Sequence, residues 1–122
     1  MTDSPVINDL DDLRRELALF AARREWDRFH TPKNLSMALI AEAAELVEHF
    51  QWVTEKESCH LDEGRKAEIR LELADILIYL ARLADRLDID LLQAAADKIG
   101  INEKRYPAHK VKGSARRAGE YD

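Results

Sequence analysis

Two pairs of acids, each one helical turn apart, are the residues of this chain best placed to do chemistry. Glu42 and Glu45 lie in the run 34–52, NLSMALIAEAAELVEHFQW, whose apolar stripe is Leu35, Leu39, Leu46, Phe50 and Val53. Glu42 fills the turn left open between Leu39 and Leu46, and Glu45 follows at i+3, so both carboxylates reach one side of a helix. The run 68–87, EIRLELADILIYLARLADRL, repeats the pattern, with Glu72 and Asp75 bordering a seam of Ile69, Leu73, Ile76, Leu80, Leu83 and Leu87. Such a heptad-like seam is expected to face a partner helix. Bare carboxylates are costly to bury at an apolar interface, so something positive must sit among them. Four oxygen donors suit a hard cation such as Mg²⁺ or Mn²⁺, which also commonly binds phosphates. The plainer alternative is that the acids lie off the seam and form surface ion pairs with Lys66, Arg70 or Arg82. One pair alone would read that way; two pairs, both on the most apolar stretches of the chain, favour the metal.

Other polar and aromatic residues carry weaker signals. Lys98, Asn102 and Arg105, at i, i+4 and i+7, put a cation, an amide and a guanidinium on one helix face, as would suit phosphate oxygens. Basic residues near a helix C-terminus are also favoured by the dipole alone. Trp52 is expected two turns beyond Glu45 on the same face, and Tyr79 continues the face of Glu72 and Asp75. Trp26 and Phe29 stand at a corner, and these rings suit core packing as well as stacking on a flat base. His30 fits a turn or capping role, and nothing identifies it as a general base. A di-iron bundle would need Glu-x-x-His on two helices, but His49 follows Glu45 by four and has no counterpart in 68–87. Cys59, the single cysteine, reads as a bystander thiol in a polar loop.

Positioning these residues calls for four helices. The first is expected to be capped by Asn8, with Asp9, Asp11 and Asp12 in its first turn and a stripe of Leu10, Leu13, Leu17 and Phe20, ending near Asp27. REWDRFHTPKN, 24–34, turns the corner, and Thr31–Pro32 suits N-cap and N1 of the second helix. TEKESCHLDEGRK, 54–66, reads as a loop. Asp62 or Glu63 starts the third helix, which runs to about Leu87. Asp88 or Asp90 caps a fourth over about 91–105, packed through Leu92, Ala95 and Ile99, weakened at Gly100 and stopped by Pro107. Residues 1–8 are expected to be a disordered lead, and 107–122 a flexible, basic-then-acidic tail. The fold class is all-α, an antiparallel four-helix bundle. Leu46, Val47, Leu77 and Ile78 widen the seams beyond one face, so a homo-oligomer is expected.

Composition sets bounds consistent with this. The chain has 122 residues, 46% hydrophobic and 35% charged, with only four Gly and three Pro, which describes one soluble helical domain. A net charge of -5 argues against a nucleic-acid polymer as partner. With one cysteine, no intramolecular disulfide can form. No apolar run reaches membrane-spanning length and the N-terminus lacks signal-peptide regions, so a cytoplasmic location and no membrane partner are expected.

The ordered set ExxE (Glu42, Glu45), ExxD (Glu72, Asp75) and KxxxNxxRY (Lys98 to Tyr106) resembles the all-α nucleotide pyrophosphohydrolases of the MazG-like superfamily. FHTPKN, ELVEHFQW, LADILIYL, KRYPAH and the GSA of the tail are most similar to its dCTP pyrophosphatase subgroup, over about residues 10–115. The resemblance implies a four-helix MazG fold over 9–106. It implies an enzyme that uses Mg²⁺, with Mn²⁺ as a possible substitute, to split a nucleoside triphosphate, chiefly dCTP or modified dCTP, into monophosphate and pyrophosphate. Related substrates would be dUTP, other non-standard nucleotides or phosphoribosyl-ATP; the distant alternative is a non-enzymatic helical partner protein. Glu42, Glu45, Glu72 and Asp75 would be both catalytic residues and metal ligands, with Glu45 as the acid that orients or deprotonates the attacking water. Trp26, Asp27, Arg28, Phe29, His30, Trp52 and Tyr79 would enclose base and sugar, and Lys98, Asn102 and Arg105 would hold phosphates. It also implies a homotetramer, a dimer of dimers, with the site at a subunit interface. Leu17 departs from the pattern, since dCTP-preferring relatives tend to carry a His near the base nine residues before the tryptophan.

Overall fold

In the computed structural model, residues 4–116 and 118–120 are described. Residues 1–3 of the expected lead, and Arg117 and residues 121–122 of the tail, lie outside the described residues. All regular structure among the described residues is helical: α1 (Leu10–Arg23), α2 (Pro32–Glu48), α3 (Glu55–Ser58), α4 (Glu63–Arg86), α5 (Leu91–Arg105), α6 (Ala108–Val111) and a 3₁₀ turn, Ala118–Glu120. Two compact units divide the chain, one ending at Ile89 and the other beginning at Asp90.

Capping chemistry sets the starts of the main helices. Asp9, not Asn8, caps α1: the Asp9 side chain accepts from the Asp12 amide at 2.7 Å. Asn8 instead donates its backbone N–H to the Asp12 carboxylate at 3.0 Å, so the two acids satisfy donors in both directions, as a capping box does. Thr31 caps α2 with Pro32 at its first position, Asp62 caps α4 and Asp90 caps α5. The expected loop 54–66 contains α3, because Thr54 and Glu57 form a capping box, a T-x-x-E signal present in the sequence.

Two ends share one device. α1 stops at Arg23 rather than near Asp27, because Glu25 takes φ 55° and the Trp26 amide reaches back to the Ala21 carbonyl at 2.9 Å. α4 ends likewise: Asp88 has φ 55° and the Ile89 amide bonds the Ala84 carbonyl at 2.8 Å. Both are Schellman closures whose left-handed position usually holds glycine.

In the first unit α4 packs against both α2 and α1. Leu13 and Ala21 of α1, Leu35 of α2, and Ile69, Ala81 and Ala84 of α4 form its small core. The α4 seam is narrower than expected, since Leu73 and Leu87 are about half exposed while Ile76, Leu80 and Leu83 are partly covered. α2 ends at Glu48, before Trp52, and the chain leaves through turns at Phe50, Gln51 and Val53. Trp52 is therefore not on the helical face of Glu45; it is 88% exposed.

Candidate active site

α2 and α4 run antiparallel, and side-chain bonds fix their register at both ends. At one end the Arg65 guanidinium donates to the His49 carbonyl at 3.1 Å, and at the other the Arg86 Nε donates to the His30 carbonyl at 3.2 Å. Between these ties Glu42 and Glu45 of α2 face Glu72 of α4. One oxygen from each of the three lies within 4.8 Å of the others. Asp75 is half-buried and outside that set, yet its negative charge acts on both Glu42 and Glu72.

The electrostatics of this cluster are unfavourable by themselves. Two ionised carboxylates 4.8 Å apart repel by about 3.5 kcal/mol at an effective dielectric near 20. Burial, the hydrogen bond with Glu45 and the charges of Glu45, Asp75 and Glu72 push the Glu42 carboxyl up from 4.5 to about 7. Glu72 is also raised, by desolvation first and then by Glu45 and Asp75, with His49 partly opposing. His49 Nε2 lies 3.9 Å from Glu72 Oε1 and its Nδ1 3.8 Å from Glu68 Oε2. The ion pairs with Lys66, Arg70 or Arg82 that would have made these acids ordinary surface residues do not form among the described residues; Arg82 turns elsewhere. Glu42 Oε2 and Glu72 Oε2 are shielded from solvent without a hydrogen-bond partner. Such orphaned acceptors carry a full desolvation penalty. Two partnerless carboxylate oxygens beside a third carboxylate fit a hard divalent cation.

The corner 24–30 is built by tight turns. The Phe29 amide bonds the Trp26 carbonyl at 2.8 Å, and the Asn34 side chain donates to the Phe29 carbonyl at 3.0 Å. Trp26 and Phe29 are left about half exposed, the Arg28 guanidinium lies 4.8 Å over the Phe29 ring, and the Trp26 and His30 rings meet edge-on at 6.1 Å. Tyr79 is half-buried on α4, one helical turn beyond Asp75. Leu17 is half-buried on α1.

One buried residue escaped the sequence reading. Arg82 is 5% exposed and binds Asp27, His30 and Asp85. Its signal was present: at 100° per residue, positions 72, 75, 79, 82 and 86 fall within about 80° of one helix face. α4 thus carries a continuous polar line, acidic at Glu72 and Asp75 and basic at Arg82 and Arg86. In the second unit, Lys98, Asn102 and Arg105 share one face of α5, and Arg105 stacks 5.6 Å from the Tyr106 ring.

These features define an all-helical protein with a convergent carboxylate site on two antiparallel helices. The chain belongs to the MazG-like family, whose pattern matches residues 38–120. It is 45% identical over 113 residues to dCTP pyrophosphatase 1 of Homo sapiens, covering 91% of this chain and 66% of that protein. It is likewise 45% identical over 108 residues to the Mus musculus protein of the same name, covering 87% of this chain and 64% of that one. The chain thus spans just under two thirds of the length of these relatives. A crystal structure of a pyrophosphatase from Archaeoglobus fulgidus superposes with a TM-score of 0.77 at 37% identity, covering 87% of this chain and 99% of that one.

Proposed function

We propose that this protein is a divalent-metal-dependent nucleoside triphosphate pyrophosphohydrolase that converts dCTP, or a modified dCTP, to dCMP and pyrophosphate. The observation that carries the reading is the Glu42–Glu45–Glu72 cluster with its two partnerless buried oxygens. Membership of the family and the 45% identity to proteins named dCTP pyrophosphatase 1 support the reaction and the base.

Glu42, Glu45, Glu72 and Asp75 would hold Mg²⁺, with Mn²⁺ as a substitute. When bound, the cation neutralises phosphate charge and acidifies a coordinated water. Glu45 is the exposed member of the cluster, so its carboxylate is the one open to a water approaching from solvent, and it orients that water and takes its proton. Glu42 and Glu72, deeper in the cluster, fix the donor set, and Asp75 adds negative charge to it. Trp26, Asp27, Arg28, Phe29, His30, Trp52 and Tyr79 enclose base and sugar. Lys98, Asn102 and Arg105 bind phosphate oxygens, the guanidinium in bidentate fashion.

The reading includes a homotetramer, a dimer of dimers, in the cytoplasm, with residues 9–106 as the catalytic domain; the segment after it, expected to be a flexible tail, contains the short helix α6 (Ala108–Val111). Ile40 on α2 is 68% exposed and Leu71 on α4 60%. In this reading a second copy supplies their cover. No helix among the described residues is long and apolar enough to cross a membrane.

The test is pyrophosphate release from each common ribonucleoside and deoxynucleoside triphosphate, with Mg²⁺ and with EDTA. Metal-dependent release led by dCTP is expected. Release led by dUTP or another nucleotide would move the base preference, as the departure at Leu17 allows; no release with any nucleotide would overturn the enzyme.

A further inference from the structure

Arg82 is buried on the polar line of α4, outside its apolar seam, and each of its three nitrogens has a partner nearby. Nε–H donates to His30 Nδ1 at 3.1 Å and Nη2 donates to Asp27 Oδ1 at 2.5 Å. Nη1 lies 3.5 Å from Asp85 Oδ2, and Asp85 Oδ1 lies 3.6 Å from Arg14 Nη1. Arg86 donates to the backbone carbonyl of His30. A guanidinium has no acceptor and does not deprotonate in proteins, so whatever faces its Nε–H must accept. His30 Nδ1 therefore carries a lone pair, and a neutral imidazole so bound has its proton on Nε2.

We propose that Arg82 is a positioning residue that locks His30 as the Nε2–H tautomer, and that His30 thereby donates a hydrogen bond to a ring acceptor, N3 or the O2 carbonyl, of the pyrimidine. The proposal rests on the reading that the 26–30 corner encloses the nucleotide. The aromatic surroundings support the base rather than a phosphate as the recipient. Trp26 lies edge-on to His30 and is about half exposed, Phe29 on the same corner is likewise exposed, and flat rings suit base stacking. A site built to donate to a base acceptor discriminates through the cost of leaving its own donor unpaired.

The same contacts set a pH limit. The charged groups facing His30 are Arg82 and Arg86 from α4 and Asp27 from its own corner. Burial and the two guanidinium groups lower the His30 pKa against the smaller pull of Asp27. A second proton on His30 would place N–H against N–H at Arg82 and release the corner.

Two measurements test this. Two-bond ¹H–¹⁵N correlation spectra of the full chain at pH 7.5 should show His30 with a bare Nδ1 and a protonated Nε2. A proton on Nδ1, or a charged ring, overturns the proposal whatever the enzyme does. In dCTP hydrolysis, His30→Leu should raise KM about tenfold or more with kcat within about threefold, while His30→Gln, whose amide still donates, should recover most of the loss. Arg82→Met should resemble His30→Leu and Arg82→Lys should recover part of it. The KM of the unsubstituted protein should rise as His30 protonates, and that of His30→Gln should not. An unchanged KM in His30→Leu overturns the recognition step. If no nucleotide is hydrolysed, the functional reading fails and takes the recognition step with it, while the spectrum still decides the tautomer.

Discussion

The acid cluster should make the metal-free protein lose stability as pH rises, the reverse of ordinary acid denaturation. Glu42 titrates near 4.5 in an unfolded chain and about 7 in the fold. As pH climbs past 4.5 the unfolded chain releases its proton first, and the fold must later ionise a carboxylate that its neighbours repel. The stabilising effect of the neutral form is complete below about 4.5 and is lost as pH rises through about 7. At 1.36 kcal/mol per pH unit this is about 3.4 kcal/mol at most, and solvent access to a half-buried group reduces it to roughly 1–2 kcal/mol. For a chain of this size that corresponds to a melting-temperature change of about 3–10 °C. His30 acts in the opposite sense, because its lowered pKa gives stability that is full above about 6.5 and lost as pH falls. Comparing the protein with Glu42→Gln cancels that contribution, since the amide does not titrate and His30 is common to both. Thermal unfolding followed by circular dichroism in EDTA, at fixed protein concentration from pH 5 to 8, should show the unsubstituted protein falling progressively below Glu42→Gln. Mg²⁺ at about 100 times its dissociation constant should restore about 2.7 kcal/mol at pH 8 to the unsubstituted protein, and less to the variant. A difference between the two proteins that stays flat, or that grows in favour of Glu42 with rising pH, would refute the reasoning.

Further expectations concern activity, backbone and assembly. Glu45→Gln should lower pyrophosphate release by a factor of about 10² or more with the circular dichroism spectrum unchanged, because on the proposed mechanism it removes the proton acceptor and leaves the packing intact. Asp88→Gly and Glu25→Gly each relieve a left-handed backbone at φ 55°. After the entropic penalty of glycine, each should raise stability by about 0.5–1 kcal/mol, read as a shift in the urea midpoint, and the pair should add. Thr54→Ala removes the capping box of α3 and should speed amide exchange at Glu57 and Ser58 while costing about 1 kcal/mol or less overall. Light scattering on the eluting protein should give four times the 14.0 kDa chain mass; a monomer would leave Ile40 and Leu71 without the partner assigned to them.

Helix content, the caps at Thr31, Asp62 and Asp90 and the convergence of Glu42, Glu45 and Glu72 were legible because each depends on local chemistry or on a 3.6-residue period. What misled was where periodicity stopped. The apolar stripe through Phe50 and Val53 extends past Glu48, yet the chain there is in turns, and a stripe alone does not distinguish a last helical turn from a hydrophobic turn packed beneath it. Glu25 and Asp88 gave no warning, since a Schellman closure is ordinarily signalled by glycine or asparagine. α3 was readable from Thr54 and Glu57 and was obscured by the polar composition around it. Arg82 was hidden for a different reason. Its place on the polar face of α4 was legible, but its role depends on contacts 52 and 55 residues away, with His30 and Asp27, which that local pattern does not predict.

The position of that arginine explains how one helix serves two parts of the proposed site. The polar line along α4 changes sign between Asp75 and Arg82, with Tyr79 between them. Its acidic end collects like charges that the fold alone leaves uncompensated, two of them as oxygens without partners. Its buried basic residue is paired, because His30, Asp27 and Asp85 each meet one nitrogen of Arg82. Unpaired buried charge is expensive and paired buried charge is rigid. The fold therefore concentrates its electrostatic cost at the end where a cation would bind and its rigidity at the end where a base would be read. Both ends lie on a single α-helix, so backbone hydrogen bonds fix the spacing between the acid cluster and Arg82, and Arg82 in turn ties down the 26–30 corner. An enzyme of the proposed kind, which must hold one nucleotide against a bound cation, needs that spacing held constant.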